Sequence, residues 1–300
     1  MQSDQNTFEI DGCVLALDVG GSFIKSGLVD ATGLAAEFAP VPVDAAADAR
    51  SIIRAFAEVV SAGMSAAGKI DAIGIAFPGP FDYARGVSLM TRKFAGINGV
   101  ELPSALREAR PAIAALPIRF RHDANAFLSG ELWRGAGLGL RRAVGVTLGT
   151  GIGVSCSVDG RFINNALGSP APEVSVWSRP YKGGIVEDVI STAGLVARYR
   201  LSHPNYDPAD GVKGIAGAAK ENNLEAVRLF AELGADLGAG LLPLCERFLP
   251  EKIIFGGQIS KDFSLFEATL KSELCRTAQP PEAVMGKLGN RAALFGAACG

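Results

Sequence analysis

Two glycine-rich segments carry the residue types that proteins use to hold phosphate groups. They are residues 15–25 (LALDVGGSFIK) and residues 144–153 (VGVTLGTGIG). In each segment, glycines separate two short apolar runs, a pattern that predicts a strand, a tight turn and a second strand. Glycine permits a positive φ and a close approach of the backbone to a ligand, so the amide and hydroxyl groups of both turns are expected to face an anion.

The two segments also match each other. Their alignment pairs Gly20 with Gly149, Ser22 with Thr150, and Asp30 with Asp159. A single glycine-rich hairpin is a weak indication because such hairpins are common, whereas a matched pair predicts a clamp that grips one phosphate chain from two sides.

Asp18 is present in the first segment only. A carboxylate beside a phosphate chain repels it unless a cation lies between them, so we predict that Asp18 is a ligand of Mg²⁺ through water. The alternative for Asp18 is an aspartate that caps a turn or a helix.

Asp123 lies at a predicted strand-to-helix junction. The preceding residues 118–122 form an apolar run, and apolar residues at helical spacing continue from Asp123 to Trp133. Reactive groups are commonly placed at this end of a sheet. We therefore predict that Asp123 is a general base that accepts the proton of an attacking hydroxyl. An N-cap of the following helix is its alternative role, and both roles are compatible.

The composition sets further bounds. The 300 residues are 48% hydrophobic, enough for one large or two medium domains, and the net charge of −2 gives no surface for nucleic acid. Only fourteen residues precede the first segment, too few for a helix-turn-helix domain. The polar N-terminus is unlike a signal peptide and no apolar stretch of about 18 residues occurs, so we expect a cytoplasmic protein without membrane contact.

Cysteine and histidine are sparse. The five cysteines are scattered without a Cys-x-x-Cys pair, so buried, reduced thiols are expected, and two histidines argue against a metal site built from histidine.

Strand-like and helix-like patterns alternate, which predicts an α/β fold. Strands are predicted at residues 14–18, 24–29, 34–42, 70–77, 118–122 and 252–255, with a hairpin at 142–161. Helices are predicted at 45–67, 100–109, 123–133, 190–201, 212–222, 224–249, 264–278 and 292–298. Residues 164–190 lack periodicity and are predicted to form an irregular loop.

Five motifs occur in the order found in the ROK family of sugar kinases, which this chain resembles from about residue 13 to 298. They are DVGGSFIK at 18–25, HDAN at 122–125, LGTGIG at 148–153, IFGG at 254–257 and AALFGAA at 292–298. The resemblance implies two actin-like, ribonuclease-H-like α/β domains with a nucleotide cleft between them. The expected division is a small domain of residues 1–120 plus 290–300 and a larger one of residues 121–289.

The same resemblance implies ATP as donor, Mg²⁺, a sugar hydroxyl as acceptor, and a homodimer. The phosphates would be bound by Gly20, Gly21, Ser22, Lys25, Gly149, Thr150 and Gly151. Gly256 and Gly257 would approach adenosine, and their alternative is a bare Gly-Gly turn. The alternative for Lys25 is a surface cation. The sugar would be bound by Gly79, Lys93, His122, Asp123, Glu173 and Glu187.

The chain departs from the family at three places. His122 stands at a position where the family usually has asparagine, and Lys93 stands near another. The pocket is therefore more cationic than a neutral hexose needs, and an acidic or modified sugar is an alternative substrate. In residues 172–191 (PEVSVWSRPYKGGIVEDVIS), Val176 replaces a histidine and the cluster of three zinc-binding cysteines is missing. We expect Trp177, Pro180 and Tyr181 to hold this segment by apolar contacts.

Two other functions are compatible with these residues. One is a sensor that binds a sugar or nucleotide on the same fold without turnover. The other is a kinase that uses polyphosphate as donor, which would require a basic groove that the sequence does not obviously supply.

The purified protein is predicted to contain no zinc. A structural zinc ion needs cysteine or histidine ligands at short spacing, and residues 170–191 contain neither. Elemental analysis of the purified protein checks this. Stoichiometric zinc whose removal by a chelator unfolds the protein would contradict the prediction.

Overall fold

The computed structural model describes residues 10–299, and the predicted character of the extreme N-terminus lies outside these residues. The strands are β1 (Val14–Val19), β2 (Phe23–Asp30), β3 (Gly33–Pro42), β4 (Ala72–Phe77), β5 (Phe81–Asp82), β6 (Val87–Ser88), β7 (Ile118–His122), β8 (Arg142–Leu148), β9 (Ile152–Val158), β10 (Arg161–Phe162), β11 (Pro180–Tyr181), β12 (Gly184–Ile185), β13 (Lys252–Gly256) and β14 (Glu282–Met285). The α-helices are α1 (Ala49–Ala67), α2 (Leu102–Ala109), α3 (Asp123–Arg134), α4 (Val186–Ile190), α5 (Thr192–Ser202), α6 (Gly211–Lys220), α7 (Leu224–Phe248), α8 (Glu267–Leu274) and α9 (Ala292–Ala298).

Two five-stranded sheets share one topology. Their strand orders are β3-β2-β1-β4-β7 and β10-β9-β8-β13-β14. In both, the first three strands pair antiparallel and the last two are added in parallel. The second half of the chain therefore repeats the fold of the first, with the paired glycine segments at equivalent turns, and the α/β prediction is confirmed.

The central strands are buried because helices cover the sheets. Every residue of β4 is buried, whereas exposed residues recur along the edge strand β3. Helix α1 begins after Asp48, whose side chain accepts a hydrogen bond from the backbone N–H of Ser51, and it ends at Gly68, where φ is +68°. Within the described part of the chain, no helix combines the length and apolar character needed to cross a bilayer.

Helices α3 and α9 follow the last strands of the two sheets and pack directly on each other. A Cβ on Gly296 would lie 1.7 Å from the carbonyl oxygen of Ala126, and one on Gly130 would lie 2.1 Å from that of Ala292. The two helix backbones are therefore in contact, which only glycine permits at these positions. On its other side α9 joins a buried cluster with Val14 and Ala16 of β1, so the last helix packs on the first sheet.

Two predicted helices need correction, one strand was missed, and residues 164–190, predicted to form an irregular loop, contain β11, β12 and α4. The helix expected at 190–201 is interrupted at Ser191, whose hydroxyl accepts a hydrogen bond from the N–H of Gly194 and begins α5. The helix expected at 264–278 is a 3₁₀ segment at Ile259–Leu265 followed by the shorter α8. Strand β14 was not predicted, because four residues at a sheet edge are too short to show a period. The domain boundaries near 120 and 290 stay a prediction.

The α3–α9 contact predicts a sharp contrast between two glycine-to-alanine variants. Gly296→Ala should lower the free energy of unfolding by about 1–3 kcal/mol, since the added methyl group forces the two backbones apart. Gly217→Ala is the matched control, because Gly217 lies in α6 with nothing within 4 Å of its Cβ position. It should stabilise the protein by up to about 1 kcal/mol through helix propensity. Urea denaturation measures both, and equal effects would contradict the importance of the contact.

Candidate active site

The two glycine segments form equivalent turns, the first at residues 20–22 between β1 and β2 and the second at residues 149–151 between β8 and β9. Each is closed by a backbone hydrogen bond, from Gly20 N to Phe23 O at 2.9 Å and from Gly149 N to Gly151 O at 3.0 Å. Ser22 and Thr150 are exposed at the tips of the turns. Both turns are thus open to a ligand.

Close approach, and not a positive φ, requires glycine at Gly21 and Gly151. The expected positive φ is wrong for both turns, since these glycines are not among the residues of positive φ in the described chain. A Cβ on Gly21 would instead lie 2.7 Å from Cε of Lys93, and one on Gly151 would lie 2.2 Å from Oε2 of Glu187. Side chains from distant parts of the chain therefore lie directly against each turn.

Asp18 forms an ion pair beside the first turn. Asp18 of β1 is the cross-strand partner of Lys25 of β2, and its Oδ2 lies 3.0 Å from the Lys25 Nζ. Burial raises the pKa of the Asp18 carboxyl, while the Lys25 ammonium acts in the opposite direction. Among residues 10–299, no cluster of three or more His, Cys, Asp or Glu side chains could hold a metal ion. One carboxylate beside a turn predicted to bind phosphate does fit Mg²⁺, which keeps several waters and is usually bound through one or two carboxylates.

Asp123 begins α3 with its carboxylate open to solvent. The side chain of Asp123 is 45% exposed, and its Oδ1 lies 3.0 Å from Nδ1 of His122 and accepts a hydrogen bond from the N–H of Ala124 at 2.7 Å. The N-cap of α3 is His122, so the N-cap expected of Asp123 is displaced by one residue.

The surroundings of Asp123 keep its carboxylate ionised. Desolvation acts to raise the pKa of Asp123, but the neighbouring imidazole of His122, the N–H of Ala124 and the ammonium of Lys93 together lower it. An ionised carboxylate is the form that can accept a proton.

Tyr83 lies against His122, the neighbour of Asp123, and was missed by the sequence reasoning. Its hydroxyl donates to the carbonyl of Phe77 at 2.8 Å, and its ring centroid lies 5.8 Å from that of His122. A Cβ on Gly79 would lie 3.6 Å from both the Tyr83 hydroxyl oxygen and the His122 Nε2, so Gly79 lies beside His122. Burial and the charge of Asp123 raise the pKa of Tyr83 well above its usual value.

Residues from the second half of the chain close the same region. A Cβ on Gly153 would lie 3.2 Å from Cβ of Ala124, which brings β9 against the start of α3. Buried Asn125 donates to Oδ1 of Asn164 at 2.9 Å and accepts from the hydroxyl of Ser155 at 2.6 Å. The segment that follows β10 is thereby fastened beside Asp123.

The second turn has its own neighbours. At the end of β13, Gly256 is paired with Thr147 of β8, and Gly257 has a φ of +91°. A Cβ on Gly257 would lie 2.2 Å from the carbonyl oxygen of Leu148, so this glycine lies against the strand that leads into the second turn. The hydroxyl of Thr192, at the start of α5, donates to the carbonyl of Gly149 at 2.9 Å, a contact that sequence reasoning did not anticipate.

The two glutamates expected to bind the sugar have other contacts. Oε2 of Glu187 accepts a hydrogen bond from the N–H of Ile152 at 3.1 Å, beside the second turn. Oε1 of Glu173 lies 3.8 Å from a guanidinium nitrogen of Arg247 on α7. These contacts join Glu187 to the second turn and Glu173 to α7, and a role of either residue in sugar binding stays a prediction.

A buried carboxylate holds the segment that lacks the zinc ligands. Asp236 of α7 accepts hydrogen bonds from the Tyr181 hydroxyl at 2.9 Å, from Arg198 at 3.2 Å and from Lys182 at 2.5 Å. The expected apolar contact of Trp177 is wrong, because this side chain is 48% exposed. Val176 is instead buried in the core of the second half, where a histidine ligand would have no partner.

Comparison with known proteins identifies the fold just described. Residues 14–299 match the ROK family. The chain belongs to this family. Glucokinase of Streptomyces coelicolor is 29% identical, and the match covers 96% of each chain.

Two solved structures extend the match. A ROK-family glucokinase of Streptomyces griseus, in complex with glucose and AMPPNP, has a TM-score of 0.77 and 26% identity, covering 96% of this chain and 98% of that one. A ROK hexokinase of Thermus thermophilus has a TM-score of 0.77 and 24% identity, covering 96% and 97%. The resemblance and the two-domain fold expected from the sequence are confirmed.

Loss of the Asp236 charge should destabilise the protein by about 3 kcal/mol, because it leaves Arg198 and Lys182 without their buried counter-charge. Asp236→Asn keeps the shape of the side chain and is the variant of choice. Glu267→Gln, which breaks an exposed ion pair with Lys271, serves as control and should cost at most about 0.5 kcal/mol. Urea denaturation compares the two, and similar losses would show that the Asp236 network does not hold the segment.

Proposed function

We propose that this protein is a kinase that transfers the γ-phosphoryl group of ATP to a hydroxyl of a sugar or sugar derivative. The observation that carries the proposal is the grouping of two open glycine turns with an ionised, accessible Asp123. Asp18 lies close enough to Asp123 that the negative charge of Asp123 adds to burial in raising the pKa of Asp18. The similarity to a glucokinase solved with glucose and AMPPNP supports the same donor and class of acceptor.

The two turns would bind the phosphates. Phosphoryl transfer needs mainly positioning and neutralisation of charge, and the turns offer backbone N–H groups and hydroxyls from two sides. In this proposal the phosphates are held by Gly20, Gly21, Ser22, Lys25, Gly149, Thr150 and Gly151, and the adenosine lies near Gly256 and Gly257. Asp18 would hold Mg²⁺ through water, and the ion would supply positive charge to the phosphate oxygens.

Asp123 would accept the proton of the sugar hydroxyl as that oxygen attacks phosphorus. His122 lies beside its carboxylate and Gly79 lies beside His122, and both would contact the sugar. A sensor without turnover is not favoured, because such a protein needs no accessible, ionised base at this point. We further propose a homodimer, the domain division near residues 120 and 290, and a cytoplasmic location where ATP is supplied.

Asp123→Asn should lower kcat by about 10²–10⁴, the usual contribution of a general base, while the affinity for ATP is nearly unchanged. Asp210→Asn, at an exposed aspartate before α6, is the matched control and should leave kcat unaltered. ADP release on a panel of neutral, amino and acidic sugars first identifies the acceptor, and steady-state kinetics then compare the variants. Turnover near that of the wild type in a folded Asp123→Asn protein would remove Asp123 from this role.

A further inference from the structure

Lys93 extends from a rigidly held backbone. The next residue, Phe94, is fully buried with a φ of +57°, and its N–H donates to the carbonyl of Ala45 at 2.7 Å. Its carbonyl in turn accepts from the N–H of Ile97 at 3.1 Å. A non-glycine residue keeps such a φ only where its surroundings hold it there. The origin of the Lys93 side chain is therefore fixed.

The amine of Lys93 lies over the first turn. The three heavy atoms nearest to a Cβ placed on Gly21 all belong to Lys93, with Cε at 2.7 Å and Nζ at 3.0 Å. The same ammonium is close enough to Asp123 to contribute to its lowered pKa. Its charge is thus close both to a turn that would bind phosphate and to the carboxylate that would accept a proton.

Lys93 and Lys25 differ in what they face. The ammonium of Lys25 is paired with Asp18 at 3.0 Å. No carboxylate among residues 10–299 comes within 4.0 Å of the Lys93 ammonium, which lies 5.9 Å from the centroid of the Phe94 ring. The charge of Lys93 therefore remains available to an anion.

We propose that Lys93 binds the phosphoryl group during its transfer, an inference that rests on the proposed function. The sugar oxygen forms a bond to the γ-phosphorus while the bond from that phosphorus to the oxygen bridging to the β-phosphate breaks. The hydroxyl proton goes to Asp123, and ADP leaves. The ammonium of Lys93 keeps its protons throughout and donates a hydrogen bond to a non-bridging oxygen of the group in transfer, where negative charge is concentrated.

An acidic substituent on the sugar is the other anion that Lys93 could face. Its position over Gly21 favours the phosphoryl group, because the amine is in contact with the turn itself. If Lys93 binds the phosphoryl group, its loss affects kcat for every accepted sugar. If it binds an acidic substituent, its loss affects only the KM of the sugars that carry one.

The test compares Lys93→Met with Lys93→Arg and with Arg92→Met, which removes a positive charge from the adjacent exposed residue. Lys93→Met should lower kcat by about 10²–10³ for every accepted sugar, with a small effect on the KM of the sugar. By calorimetry it should weaken AMPPNP binding about tenfold and leave ADP binding unchanged, since only AMPPNP carries the third phosphate. Lys93→Arg should recover part of both losses, and Arg92→Met should resemble the wild type.

Three results would overturn the assignment to phosphate. They are a wild-type kcat in Lys93→Met, an equal loss of ADP and AMPPNP affinity, and a loss confined to the KM of carboxylated sugars, which would assign Lys93 to the sugar. If the wild type phosphorylates none of the sugars, the proposed function fails, and the comparison of AMPPNP with ADP still decides whether Lys93 contacts the third phosphate. Absence of nucleotide binding by the wild type would overturn both proposals.

Discussion

The contact between the backbones of α3 and α9 is the constraint on which the rest of this structure depends. Gly130 and Gly296 let each helix approach a carbonyl of the other more closely than any side chain would permit. Helix α3 begins with Asp123, and α9 packs on β1, the strand that carries Asp18. The two glycines, which have no chemical role themselves, thus join α3 to the sheet that carries Asp18, while the pairing of β1, β4 and β7 sets the distance between the two carboxylates.

The same arrangement gives the two carboxylates opposite electrostatic environments. Burial dominates at Asp18 and raises its pKa, so a nearby cation would stabilise the anionic form of this carboxyl. Asp123 is more open, and His122 and Lys93 outweigh its desolvation and lower its pKa. The neighbours of these two aspartates thus shift their pKa values in opposite directions, which in the proposed function would suit Asp18 to binding positive charge and Asp123 to accepting a proton.

The segment at residues 172–191 illustrates how a fold can keep its shape with different chemistry. Val176 packs in the apolar core, and Asp236 binds a phenol and two cations through hydrogen bonds. Both carboxylate oxygens are used, which compensates for burying the charge. The network reaches from α7 to the segment that contains Glu187, so it also helps to hold that glutamate against the second turn.

Much of the fold and part of the site could be predicted from the sequence. The two turns, the start of α3 and the order of the motifs follow from local patterns of apolar residues and glycines, which act over a few neighbouring residues. The location of Lys93 over Gly21, of Tyr83 beside His122 and of Glu187 against Gly151 could not be predicted. These contacts join residues far apart in the chain but within one half of the fold, and their geometry depends on how loops and helices pack around each sheet. The sequence by itself determined which groups are available and which elements carry them, whereas tertiary packing decided which charges face each other, because electrostatic effects depend on distances that local patterns do not encode.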